Sequence, residues 1–218
     1  MRKSHLRILS LILCVAVLFG MSGCTKTTEN SGKDPGQISN ALVRYEDYIF
    51  VGDSRFVGMK DALNGYVDAD VRFVAEVGQG LGWLKKVAPD LYNESGKTII
   101  FNLGVNDLYN VSGYVDFYNN LPQDFVENNT LVIMTVNPVD EQREADFGYS
   151  VKNSEIESFN NTMRSDLDSL YFNMIDSYTY VQSSSFKTTD GLHYTNDTYR
   201  LIFDYAVECC QKQGFMKR

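Results

Sequence analysis

Histidine is scarce in this 218-residue sequence, which contains only His5 and His193. Histidine is the side chain whose ordinary pKa lies nearest neutrality, so few positions can exchange protons at pH 7. The same scarcity argues against a two-metal phosphoesterase, because such sites draw on several histidine ligands. We therefore expect no metal and no cofactor, and the only histidine beyond the N-terminal segment, His193, becomes the candidate acid–base group.

Cysteine is also sparse, with four residues that do not form a disulfide framework. Cys14 and Cys24 fall in the N-terminal segment. Cys209 and Cys210 are adjacent in a predicted helix, where neighbouring side chains diverge. We expect two partly buried thiols here, and a strained vicinal disulfide is the alternative.

Positive charge is in deficit, with 20 basic against 28 acidic residues and a net charge of −8. A surface of this sign repels phosphate backbones, so nucleic acid is not an expected partner. The excess of acidic groups is typical of a solvated, soluble surface.

The N-terminal segment 1–23 has the pattern of a signal peptide, with a basic start and an apolar stretch from residue 8 to residue 20. These 13 residues are fewer than the roughly 20 needed to span a bilayer. Met21-Ser22-Gly23-Cys24 resembles the lipobox of bacterial lipoproteins. That resemblance implies a lipid on Cys24 and a membrane-anchored protein outside the cytoplasm. A secretory signal cut nearby and a retained anchor helix are the alternatives.

Residues 24–40 are almost free of large apolar side chains and are predicted to form a flexible tether. Strand and helix patterns alternate over the remaining residues, 41–218, which suit one domain. Apolar runs predict five strands, at 48–51, 71–77, 98–103, 131–136 and 172–175. Helical periodicity predicts helices at 81–91, 114–126 (interrupted at Pro122), 154–170 and 199–210. This order predicts a three-layer α/β/α sandwich around a mainly parallel five-stranded sheet.

Candidate functional residues follow the first three predicted strands. Ser54 follows the first strand, Gly78 the second and Asn106 the third. Ligand sites in parallel sheets form at the carboxyl ends of strands, so we expect these residues to lie close together. A serine nucleophile needs a base, and the Asp190-Gly191-Leu192-His193 sequence supplies both an imidazole and a carboxylate to orient it. Each motif alone is also typical of an ordinary turn or helix cap.

Taken together and in this order, Gly52-Asp53-Ser54, Gly78, Gly104-Val105-Asn106-Asp107 and Asp190-x-x-His193 resemble the four sequence blocks of the SGNH hydrolases, also called GDSL esterases. The resemblance implies a flavodoxin-like sheet and a two-step acyl transfer. It identifies Ser54 as the nucleophile and Asp190 and His193 as the rest of the triad. The backbone N–H of Ser54, with Gly78 and Asn106, would form the oxyanion hole. Gly80 is the alternative to Gly78.

One departure from the family pattern follows the nucleophile, where an apolar residue is usual and this chain has Arg55. A cation beside the cleft would bind an anionic substrate. Alternatively, Arg55 pairs with an acid such as Asp53 or Glu76.

The function expected from these residues is an extracytoplasmic serine esterase that cleaves short, mainly acetyl, esters on cell-surface or environmental glycans. Aromatic residues near the Asn106 loop are candidates for stacking on a sugar or for ordinary packing, namely Tyr109, Tyr114, Phe117 and Tyr118. A lipase or thioesterase for longer acyl chains, an acetyltransferase and a non-catalytic glycan-binding lipoprotein are the alternatives.

Overall fold

Five parallel strands form one sheet in the computed structural model, which describes residues 44–212 and residue 215. The predicted signal peptide, the tether and Cys24 lie outside the described residues. The strands are β1 (Tyr48–Gly52), β2 (Arg72–Ala75), β3 (Thr98–Asn102), β4 (Thr130–Met134) and β5 (Phe172–Ile175). Their order across the sheet is β2-β1-β3-β4-β5, and every neighbouring pair is parallel. This is the predicted flavodoxin-like sheet.

Helices connect the strands. In the described part of the chain they are α1 (Ser54–Ala62), α2 (Leu81–Val87), α3 (Val111–Asn119), α4 (Gln123–Asn128), α5 (Glu141–Ala145), α6 (Asn153–Asp166), α7 (Ser177–Ser183) and α8 (Asn196–Lys212). Short 3-10 turns lie at Tyr45–Asp47, Ala88–Leu91 and Leu108–Asn110. Among these residues, no helix is long and apolar enough to cross a membrane.

The core lies on both faces of the sheet, which explains why β3 and β4 are continuous apolar runs. Ile49 and Val51 of β1 pack in the cluster formed with α2, α3, α4 and α6. Phe50, between them, packs in the opposite cluster with α1 and α8. The three-layer α/β/α prediction is therefore confirmed. Cys209 and Cys210 lie in α8 as a buried and a half-buried cysteine.

Several predicted element ends differ from the structure. The predicted helix 81–91 passes into a 3-10 turn at Ala88, next to Pro89, because proline lacks the N–H that an α-helix needs. The helix predicted over 154–170 ends at Asp166. Strand β4 ends at Met134 instead of residue 136. Beyond it, the N–H and carbonyl of Val136 bond the side-chain amide of Asn160 at 2.8 and 2.9 Å. This side chain takes the place of the backbone partners that a neighbouring strand would supply.

Candidate active site

The turn that carries Ser54 joins β1 to α1. Asp53 caps this helix: one of its carboxylate oxygens accepts the Arg55 N–H at 2.9 Å. The Asp53 carbonyl accepts the N–H groups of Phe56 and Val57 at 3.0 and 3.1 Å. These bonds hold Ser54 as the first residue of α1, at the carboxyl end of a central strand, with 7% of its surface exposed.

Ser54, His193 and Asp190 form a continuous hydrogen-bonded chain. The Nε2 atom of His193 lies 2.9 Å from Ser54 Oγ. The Nδ1 atom of the same ring lies 2.7 Å from Asp190 Oδ2. The Asp190 carboxylate accepts a hydrogen bond from the Nδ1–H group, and this tautomer leaves Nε2 unprotonated and able to accept the serine proton. The structure thus brings together the three residues that the sequence singled out, although Ser54 and His193 are 139 positions apart.

Asp190 is oriented by its own turn. Its Oδ1 atom accepts the N–H groups of Leu192 and His193 at 3.0 and 2.7 Å. Burial raises the pKa of Asp190, but the hydrogen bonds and charge of His193, with the Leu192 N–H, outweigh it, so the pKa is lowered. The carboxyl is therefore ionised at neutral pH and can stabilise an imidazolium on His193.

Asp53 has a different environment, since it is 1% exposed. Burial raises its pKa to about 6, against the lowering effects of the Arg55 guanidinium, the Arg55 N–H and His193. Two carboxyl groups near the same imidazole therefore differ in acidity, and Asp190, not Asp53, contacts the ring.

Side-chain hydrogen bonds connect the loops after β2 and β3, next to the hydrogen-bonded residues Asp190, His193 and Ser54. The side-chain amide of Asn106 donates to the carbonyl of Gln79 at 2.8 Å. Asp107 accepts the Leu81 N–H at 3.0 Å and the Tyr114 hydroxyl at 2.7 Å. An asparagine amide has two N–H groups, and the bond to Gln79 uses one of them. Asn106 is solvent-exposed and can direct the other toward a ligand.

The two candidate glycines of the second block have different environments. β2 ends at Ala75, so Gly78 does not directly follow the strand as predicted; it lies in the loop between β2 and α2, with φ at +72°. Open space surrounds its missing side chain. Gly80 precedes α2, and a Cβ there would lie 2.5 Å from Asp107 Oδ2. Close packing against Asp107 thus explains why residue 80 is a glycine, whereas Gly78 lies at an exposed turn.

Arg55 is not at the substrate-accessible surface, which corrects the expectation that it binds an anionic substrate. The residue is 2% exposed and donates to two backbone carbonyls, those of Asn137 and Leu192. The alternative partner Glu76 is engaged elsewhere, since its carboxylate accepts from Gln79 and Trp83.

The connection after β4 contributes residues that the sequence did not identify. The Asp140 N–H donates to the Gly191 carbonyl at 2.9 Å. Arg143 in α5 donates to the Thr189 carbonyl from Nε at 2.9 Å and from Nη2 at 2.7 Å. Residues 139–150 carry no decisive sequence pattern, so these contacts were visible only in the fold. They hold the turn that contains Asp190 and His193 from one side.

An open groove of about 520 Å³ begins at Asn106 and runs between the β3 loop and α6. Tyr109 and Ser150 line it, and Tyr109 is 89% exposed. The ring of Tyr149, beside Ser150, packs at a steep angle to the His193 ring, with 6.3 Å between the ring centroids. Of the other aromatic candidates, Tyr114 and Tyr118 are core residues and Phe117 packs against the core. Within residues 44–212 and 215, no group of three or more His, Cys, Asp or Glu side chains could hold a metal ion.

Comparisons with known proteins show similarity in fold and not in sequence. Neither a family model nor a curated protein sequence matches the chain. Solved structures do match. A lipase/acylhydrolase from Enterococcus faecalis has 16% identity and a TM-score of 0.60, covering 76% of this chain and 96% of that one. A candidate SGNH hydrolase from Slackia heliotrinireducens has 18% identity and a TM-score of 0.54, covering 74% and 96%.

A third match is the C-terminal catalytic domain of peptidoglycan O-acetyltransferase A from Streptococcus pneumoniae, with a methylsulfonyl adduct. It has 16% identity and a TM-score of 0.56, and the alignment covers 75% of this chain and 92% of that one. At these identities the comparisons establish the fold. The chain therefore has the α/β/α fold of the SGNH hydrolases.

Proposed function

We propose that the chain is a serine esterase of the SGNH type. The observation that carries this proposal is the chain of contacts from Asp190 through His193 to Ser54, with distances of 2.7 and 2.9 Å. A serine becomes a nucleophile when an oriented base can take its proton, and these contacts supply both the base and the group that orients it.

The reaction proceeds in two steps. His193 accepts the Ser54 proton as Oγ attacks an ester carbonyl, and the imidazolium then protonates the departing alcohol. Water, deprotonated by His193, attacks the acyl-enzyme and releases the carboxylic acid and free Ser54. The tetrahedral oxyanion accepts hydrogen bonds from the backbone N–H groups of Ser54 and Gly78 and from the Asn106 amide. One such donor contributes about 3 to 4 kcal/mol of transition-state stabilisation.

The proposed substrate is a short ester, mainly acetyl, on a glycan. The groove at Asn106 is open and its lining mixes polar with apolar residues, including Ser150, Ser158 and Glu155. Such a surface suits a sugar with a small acyl group better than a long hydrocarbon chain. The exposed rings of Tyr109 and Tyr149 are available for contact with sugar faces. Similarity to an enzyme named as a peptidoglycan O-acetyltransferase is in keeping with this chemistry.

The proposed location is outside the cytoplasmic membrane, anchored by lipid on Cys24. The apolar stretch before this cysteine and the polar segment 25–40 after it support the proposal. An enzyme at this location meets cell-surface and environmental glycans, which are common carriers of O-acetyl groups.

The primary test is acetate release from O-acetylated glycans and from p-nitrophenyl acetate. We expect Ser54→Ala to abolish both activities. Ser165→Ala, which alters an exposed serine in the last turn of α6, should retain both. A fluorophosphonate probe should add once, on Ser54. Hydrolysis that persists in Ser54→Ala at the wild-type rate would exclude the proposed mechanism.

Acyl-chain length tests the substrate proposal separately. p-Nitrophenyl esters from acetate to decanoate should show kcat/KM falling as the chain lengthens. A maximum beyond about eight carbons would instead indicate a lipase or thioesterase, with the same triad and a different ester.

A further inference from the structure

Arg55 connects three segments that meet at the candidate active site. It directly follows Ser54 in α1. Its Nε donates to the Leu192 carbonyl at 3.2 Å, and its Nη1 donates to the Asn137 carbonyl at 2.8 Å. One guanidinium therefore connects three segments: the turn that carries Ser54, the turn that carries His193 and the segment after β4.

The contact with Leu192 acts on the peptide group that leads into His193. The carbonyl of that peptide accepts from Arg55, and its N–H donates to Asp190 Oδ1 at 2.7 Å. Both ends of the peptide plane are thus held, which restricts the backbone rotation that would swing the imidazole away from Ser54. Without Arg55, the Leu192–His193 peptide group would be held only by the bond from its N–H to Asp190.

The segment after β4 gives Arg55 a rigid second support. Tyr194 directly follows His193, and its hydroxyl donates to the Pro138 carbonyl. The Tyr194 ring also lies under the guanidinium, with Arg55 Cζ 5.4 Å from its centroid. A cation in this position is favoured by the ring electrons. The amide of Asn153 in turn bonds both backbone groups of Val139 at 2.9 Å, so the support itself is anchored to α6.

Burial of a charge is costly unless opposite charge is near, and two carboxyl groups supply it. Asp53 and Glu144 are 1% and 0% exposed. Burial raises the pKa of each, and Arg55 lowers each in opposition. A guanidinium, with several donors in a fixed plane, can satisfy two carbonyls at once; a leucine at this position could satisfy neither.

We propose that Arg55 is a positioning residue that fixes the distance between Ser54 and His193 by pinning the Leu192–His193 peptide to the nucleophile turn. This inference rests on the proposed function. Its expected signature is a loss in kcat with little change in KM, because the residue acts on catalytic geometry and is shielded from substrate.

The test compares Arg55→Met, Arg55→Lys and Arg55→Ala with Arg200→Met. Arg200 is a matched control: its Nε donates to the Ala62 carbonyl at 2.9 Å and its Cζ lies 5.0 Å from the Tyr66 ring centroid, on α8. We expect kcat for p-nitrophenyl acetate to fall at least about tenfold in Arg55→Met and less in Arg55→Lys. Guanidinium ion added to Arg55→Ala should restore part of the rate. Arg200→Met should lose thermal stability, because it removes these contacts, yet keep the wild-type kcat.

A second measurement separates this inference from the proposed function. The ¹H–¹⁵N signals of the imidazole, assigned by their loss in His193→Gln, should move in Arg55→Met and stay in place in Arg200→Met. Absence of Ser54-dependent hydrolysis in the wild-type protein would refute the proposed function alone. A kcat within twofold of wild type in Arg55→Met, or unmoved imidazole signals, would overturn the role of Arg55.

Discussion

Gly191 lies so close to Glu144 that a Cβ atom at Gly191 would be 2.2 Å from the Glu144 backbone nitrogen. Its φ of +92° also belongs to the region that L-residues rarely adopt. The turn between Asp190 and His193 is therefore packed directly against α5, and only glycine fits at this position.

Gly191→Ala should accordingly displace either α5 or the His193 turn. We expect kcat/KM to fall at least about tenfold and the melting temperature to drop, since misplacement of a catalytic group by 1 Å can cost about 10²-fold. Gly82→Ala is the control, because open space surrounds this exposed glycine in α2. Alanine there should raise stability by up to about 1 kcal/mol. Equal behaviour of the two variants would contradict the packing argument.

Asp190→Asn should leave the turn intact while changing the charge at His193 Nδ1. The amide oxygen can still accept the Leu192 and His193 N–H groups, so folding should be little affected. We expect kcat to fall about 10³- to 10⁴-fold, because a neutral amide no longer stabilises the imidazolium. Asp168→Asn is matched to it, since Asp168 accepts the Leu170 N–H at 2.8 Å in a similar turn. A comparable loss in both variants would argue against a role specific to Asp190.

The raised pKa of Asp53 predicts a pH-dependent contribution to stability. Because the folded carboxyl, with a pKa of about 6, holds its proton more tightly than the ordinary carboxyl at 3.8, this group stabilises the fold at low pH. That contribution, up to about 3 kcal/mol, is lost as the pH rises from 4 to 6.

Asn at position 53 keeps an acceptor for the Arg55 N–H and cannot ionise. As the pH rises through this window, the wild type should therefore lose stability relative to Asp53→Asn, as measured by the difference between their free energies of unfolding. Urea titrations at pH 4, 5, 6 and 7 measure it, and titration of Asp190 cancels between the two proteins. A difference that is constant with pH would show that Asp53 ionises normally.

Tyr149 should contribute more to a glycan than to a small ester. Tyr149 is 39% exposed, and its ring lies at 74° to the His193 ring. Loss of one aromatic contact to the substrate corresponds to about a three- to tenfold decrease in kcat/KM. We expect Tyr149→Ala to lower kcat/KM for an acetylated glycan by that factor beyond its effect on p-nitrophenyl acetate. Leu170→Ala, at a 61% exposed residue, should change neither activity. Equal losses on both substrates would remove Tyr149 from glycan binding.

The elements that the sequence predicted well are those whose patterns are local. β5 was predicted with its observed bounds, because Phe172, Met174 and Ile175 form a short apolar segment that ends at Asp176. The period of α8 was clear, since Tyr199, Ile202 and Phe203 recur on one buried face. The end of β4 could not be predicted, because the partner that replaces the strand ladder is a side chain on α6, Asn160.

The sequence by itself determined the chemistry of the acid–base pair. Asp190 and His193 are three residues apart, so the bond between them depends on one turn, and the scarcity of histidine left few alternatives for a base. It also indicated that Ser54 follows a strand, whereas helix α1, which begins at Ser54, was seen only in the structure. The predicted features arise from short-range contacts and from burial patterns that repeat every two or three to four residues.

Only the tertiary structure decided that Arg55 lies behind the site and not in it. Its carbonyl partners, Asn137 and Leu192, are 82 and 137 positions away along the chain. The same holds for the packing of α5 on Gly191. A charged residue beside a nucleophile looks the same in sequence whether it faces substrate or protein, because its direction is set by distant backbone carbonyls that become available only when the sheet has assembled.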